Sequence, residues 1–77
     1  MSPHEIEVGK TYHNGKKDGR YRSWKVLGTD VEMNDLSTGN TRDDGVVFKF
    51  IYGPFNNYVG TLSLESFAQL VEGEVTD

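Results

Sequence analysis

Few side chains in this 77-residue sequence are equipped for chemistry. His4 and His13 are its only imidazoles. A zinc-type centre needs three or four ligands in fixed geometry, and there is no cysteine to complete one. Both histidines therefore read as surface residues. Asp43-Asp44 is a carboxylate pair of the kind that does acid/base work when a pocket drives two pKa values apart. In a glycine-flanked loop both would simply be solvated. The run Asn40-x-Arg42-x-Asp44-Gly45 has the outline of a calcium loop. Such a loop wants an oxygen at its third position and a bidentate Glu at its twelfth, and here those places hold Arg42 and Ile51. A cation among the ligands defeats the site. There is no nucleophile elbow, no phosphate-cradling glycine loop ahead of a helix and no Ser/His/Asp spacing beyond chance. The chain reads as a non-enzyme with no cofactor and no metal.

Binding residues are easier to name. Lys16-Lys17-Asp18-Gly19-Arg20-Tyr21-Arg22-Ser23-Trp24-Lys25 interleaves basic and aromatic side chains, a pattern that grips phosphates and stacks on bases. The competing account is a strand that alternates faces, with Trp24 in the core. Tyr52, Phe55 and Tyr58 cluster around Pro54, where exposed rings beside a loop would form a peptide groove. The competing account there is a cross-strand Tyr52–Tyr58 pair. Lys17, Arg20, Arg22 and Phe55 are the candidate binding residues.

These groups must be held by short strands. Ile6 to His13 alternates weakly, with a bend at Gly9. Asn14-Gly15 is a turn, since both residues tolerate positive φ. Arg20 to Gly28 reads as a strand with Trp24 and Val26 on the core side, and Thr29 to Met33 as a third. Residues 34–45 hold one strong hydrophobe, Leu36, among turn formers, and predict a long mobile hairpin loop. Val46 to Gly53 is the clearest strand, apolar on both faces. Pro54 to Asn57 turns the chain, and Tyr58 to Leu62 returns it. Ser63 then caps a helix whose Leu64, Phe67, Ala68 and Val71 fall at i, i+3, i+4 and i+7, with Gly73 as its stop. Too short to stand alone in water, that helix must dock on the sheet. Residues 1–5 read as a frayed start and 72–77 as a polar tail.

Composition agrees with one small domain spanning 1–77. Hydrophobic residues make up 35% of the chain, enough for a single core. Aromatics at 12% argue against disorder. No stretch approaches a membrane span and no signal peptide opens the chain, so the expectation is a cytoplasmic protein with no membrane partner. The net charge of −4 hides a split. Residues 1–28 carry six basic and three acidic side chains, a balance of +3, whereas residues 29–77 carry two against nine, a balance of −7. Two patches of opposite sign can face different partners, or attract each other within the fold. About five short antiparallel strands and one helix predict a mainly β fold, a small SH3-like, partly open barrel.

Gly9-Lys10-Thr11-Tyr12-His13, Gly19-Arg20-Tyr21-Arg22-x-Trp24-Lys25-Val26-Leu27, Val46-Val47-Phe48-Lys49-Phe50-Ile51-Tyr52-Gly53 and Leu62-Ser63-Leu64-x-x-Phe67 together resemble small bacterial and phage proteins of uncharacterised function. The resemblance covers roughly residues 8–71 and rests on glycines and core hydrophobes. A more distant family of short bacterial domains has Trp-x-Arg-Pro where this chain has Tyr58-Val59-Gly60-Thr61. The resemblance implies an SH3-like β-barrel in a phage or prophage accessory setting, and no activity. The resulting expectation is a protein-binding module that occupies a surface on a host or viral protein. Its alternatives are a nucleic-acid-binding barrel using residues 16–25, or a structural virion piece that forms homodimers through an open edge.

Overall fold

The structure, a computed structural model, describes residues 1–34 and 37–76; Asp35, Leu36 and Asp77 lie outside the described residues. Among the described residues are five strands, β1 (Thr11–His13), β2 (Ser23–Asn34), β3 (Thr41–Tyr52), β4 (Val59–Ser63) and β5 (Gly73–Glu74), and one helix, α1 (Leu64–Leu70). Two 3-10 turns, Pro3–Glu5 and Asp18–Arg20, precede β1 and β2. All pairings are antiparallel in one open sheet of order β4-β3-β2-β1-β5. The protein is thus mainly β, as its alternating hydrophobicity predicts.

The core is what the alternation places inside. Tyr12, Val26, Val46 and Phe67 are wholly buried, with Ile6, Trp24, Phe48, Ala68 and Val71 nearly so. Phe67 hangs from α1 into the sheet, its ring 6.1 Å from Tyr12, 6.4 Å from Trp24 and 5.2 Å from Phe48. The helix packs on β3, β4 and the first 3-10 turn. Its cap is the one read from sequence: the Ser63 Oγ accepts from the Ser66 N–H at 3.2 Å and donates to the Ser66 Oγ at 3.0 Å. Ser63→Ala removes that acceptor and should lower the unfolding free energy by about 1 kcal/mol, read as a shifted urea midpoint at unchanged m-value.

Five expectations are corrected. The two strands read over 20–28 and 29–33 are one. Gly28 to Val31 is a register shift within β2, with Asp30 at φ 56°, so a bulge absorbs what looks like a turn. The loop read over 34–45 is much shorter, since Asn34 pairs with Thr41 and both strands run on as a ribbon. Polar residues are at home there because one ribbon face is solvated. Arg42 and Asp44 share a strand face and form a two-bond ion pair, Nε to Oδ1 at 2.8 Å and Nη2 to Oδ2 at 2.6 Å. The start of the chain is tied down. Met1 packs on the core, and its ammonium donates to the carbonyls of Ala68 and Val71 at the helix C-terminus, where the dipole favours a cation. The helix ends at Leu70, with Val71 extended and buried. Gly73 does not stop it but enters β5, so the supposed polar tail pairs with β1 through Tyr12↔Glu74 and His13↔Gly73.

Candidate interaction surface

The β1–β2 loop is a knit structure centred on Asn14. Its Nδ2 donates to the Arg20 carbonyl at 2.9 Å, and its Oδ1 accepts from the Lys16 and Arg22 N–H groups at 3.1 Å each. Asp18, at φ 63°, accepts the Arg20 N–H on Oδ1 at 3.0 Å. Lys17 and Arg20 are thereby presented outward and exposed, with Arg20 3.6 Å from the Asp18 carboxylate. Arg22 has a different job. It is half-buried, its Nη1 donates to the Gly19 and Tyr21 carbonyls at 2.8 and 2.7 Å, and its stem lies against Gly53. A Cβ on Gly53 would overlap that stem, and Gly53 sits at φ 127°, where only glycine is at ease. Arg22 fastens the β1–β2 loop to the β3–β4 turn.

The clamp brings together two stretches that are far apart in sequence. An open cleft of about 420 Å³ lies between them, lined by Gly19, Arg22, Ile51, Tyr52, Gly53, Pro54 and Asn56. Phe55 is beside it, half-covered by Phe50 at 6.0 Å and Tyr58 at 5.9 Å. Through Phe50 and Trp24 this aromatic chain continues into the core, so Phe55 is anchored although 53% exposed. The expected Tyr52–Tyr58 pair is not formed. Tyr58 stands opposite Phe50, whose N–H donates to the Tyr58 carbonyl at 2.8 Å, while Tyr52 meets Tyr21 edge-on at 5.3 Å. Trp24 is in the core at 4% exposure and is no stacking platform.

The adjoining outer face of the sheet adds residues that sequence reasoning missed. Register places Thr11, Lys25, Lys49 and Val59 in one row across four strands. Two like charges therefore stand directly opposite each other, an arrangement that costs stability. Among the described residues no carboxylate lies within ion-pair distance of Lys25 or Lys49, nor of Lys16 or Lys17. Leu27, Ile51 and Val59 surround the lysine pair, at 44%, 39% and 61% exposure. By contrast Lys10, whose ammonium sits 2.6 Å from Glu7 and 3.4 Å from Glu74, has its pKa raised, first by the Glu7 hydrogen bond and then by Glu74. One signal for this surface lay in the sequence: Ile51 through Leu64 is fourteen residues without a charge, in a chain that is 26% charged.

The charge split becomes spatial. β2 and β3 pair from Ser23↔Tyr52 at the loop end to Asn34↔Thr41 at the ribbon end. Lys16, Lys17, Arg20, Lys25 and Lys49 crowd the first end, whereas the exposed Asp30, Glu32 and Asp43 lie along the second half.

Neither histidine belongs to a group of three or more candidate metal ligands among the described residues. The His13 Nδ1 accepts the Gly15 N–H at 3.0 Å and its ring stacks on Tyr21, while His4 is exposed on the first 3-10 turn. Among the described residues no three His, Asp or Glu side chains converge, and no helix is long and apolar enough to cross a membrane. Compared with known protein families, curated proteins and solved structures, the chain finds no match.

Proposed function

We propose that this protein is a non-enzymatic binding module, an SH3-like barrel that holds an acidic segment of another protein on its outer sheet face and the adjoining loop cleft. The four-stranded meander, the helical step and the return of β5 to β1 support the barrel reading. The observation that carries the function is the Lys25–Lys49 pair, unmatched by any described carboxylate and ringed by exposed Leu27, Ile51 and Val59. A carboxylate from a partner relieves the repulsion, and the aliphatic rim is covered on docking, which is the anatomy of an interface with a polar recognition element. Lys17, Arg20 and Phe55 extend the same surface, and Arg22 holds it in shape. The phage or prophage setting belongs to this reading on the strength of the resemblance over residues 8–71.

The test is affinity capture from bacterial lysate with the wild type and with Lys25→Glu/Lys49→Glu. The wild type should retain a discrete protein that the charge-reversed variant binds at least about tenfold more weakly, at unchanged circular dichroism. Equal capture by both would refute the surface. Arg22→Glu is no substitute, because losing its two carbonyl bonds disturbs the loop itself.

A second reading is favoured by the exposed rings of Tyr52, Phe55 and Tyr58 beside lysines that pair with no described carboxylate, the combination that binds single-stranded nucleic acid. Affinity for an oligonucleotide would then fall steeply and linearly in log salt, whereas a protein interface depends on salt less.

A further inference from the structure

We propose that β4 is a self-pairing edge and that two copies of this chain join through it into one continuous ten-stranded sheet. β3 covers one side of β4, and among the described residues no backbone group bonds to the other. Because the Phe50 N–H reaches the Tyr58 carbonyl, alternation turns the N–H and C=O of Gly60 and Leu62 toward β3. Those of Val59 and Thr61 therefore point out of the sheet.

Natural edges carry guards against such pairing: brevity, lysine, proline or a bulge. The opposite edge has them, since β5 is two residues long, contains Glu74 and follows directly on Glu72. β4 has none. It is five residues long, regular in register, and lies inside the uncharged stretch from Ile51 to Leu64. For a chain of net charge −4 this is where a second copy meets no like charge. The groups are also self-complementary. With a two-fold axis through Gly60, Val59 of one copy faces Thr61 of the other, and each such pair exchanges two N–H···O bonds. The four outward backbone groups of each copy are then all satisfied. Gly60 sets no side chain at the axis, and Phe48 closes its inner side, with ring atoms 3.0 and 3.1 Å from where a Cβ would be. Val59 and Tyr58, 61% and 65% exposed, become covered at the seam. A peptide strand from an unrelated protein would fit the same edge, but the absence of charge and the matched pair of outward residues favour a second copy.

The measurement is sedimentation equilibrium on the full chain, with circular dichroism to confirm that each variant is folded. The mass should rise from 8.7 kDa toward twice that value as concentration approaches about 1 mM. The like-charge double variant Val59→Glu/Thr61→Glu should stay monomeric, because each carboxylate faces another across the axis. The matched double variant Val59→Glu/Thr61→Lys puts opposite charges in both pairs and should dimerise at least about tenfold more tightly than the like-charge one. A wild type that stays monomeric throughout overturns the proposal, as does a like-charge variant that dimerises like the wild type. A folded matched variant that stays monomeric overturns the register.

Discussion

Phe67→Ala is expected to remove a large share of the stability of the fold. The ring is wholly buried and packs against Tyr12, Trp24 and Phe48 together. Removing a buried Phe costs about 3–5 kcal/mol through lost transfer free energy and the cavity left behind. A domain of this size has only about 4–12 kcal/mol to lose. The helix has no independent stability at seven residues, so it cannot stay docked while the core relaxes around a hole. Thermal melting should fall by roughly 20 °C or more. A variant melting within about 5 °C of the wild type would mean that Phe67 is not the link between helix and sheet.

Gly45→Ala is the second large effect, and it acts through backbone rather than core volume. A Cβ on Gly45 would lie 2.5 Å from the Val31 carbonyl oxygen and 3.3 Å from its carbon. The obstacle is main chain held in the β2–β3 ladder, so it cannot swing aside as a side-chain tip would. Either the Val31↔Gly45 pairing opens or the bulge that begins at Gly28 shifts. Overpacking of this sort costs about 1–3 kcal/mol. Gly19→Ala is the control, because its Cβ meets nothing within 4 Å and its φ is not in the left-handed region; that change should be neutral or slightly stabilising. The urea midpoints of the two variants should separate clearly. Coincident midpoints would refute the close approach.

Gly45 also illustrates why part of the fold is not legible in the sequence. Beside Asp43-Asp44 it looks like the end of a loop, and turn chemistry favours that reading. In the structure it is a strand residue whose missing side chain admits a neighbouring backbone. The same ambiguity split β2 at Gly28 to Asp30, where a bulge and a turn use the same residue types. It also turned a solvated ribbon into a supposed long loop. In each case the composition is the same for both outcomes, and the partner strand decides between them.

The candidate surface divides along the same line. Lys17, Arg20 and Phe55 were identifiable because exposed basic and aromatic residues stand out against turn formers. Arg22 belongs to the same stretch, but its role as the clamp on Gly53 depends on a contact thirty-one positions away. Lys25 and Lys49 were unremarkable singly, each a polar residue on the outward side of its strand. Only register sets them face to face.

By itself the order of residues determined the β-rich class, the capped C-terminal helix and the inward side of Trp24, Val26 and Phe67. These follow from periods of two and of about 3.6 residues and from caps that act within a few positions. Tertiary structure alone decided that β5 closes against β1, that the N-terminal residues are pinned to the helix end, that two lysines meet, and that β4 is left open. Those outcomes rest on hydrogen bonds and burial between distant segments, and a local pattern carries no record of which distant segment will supply the other half.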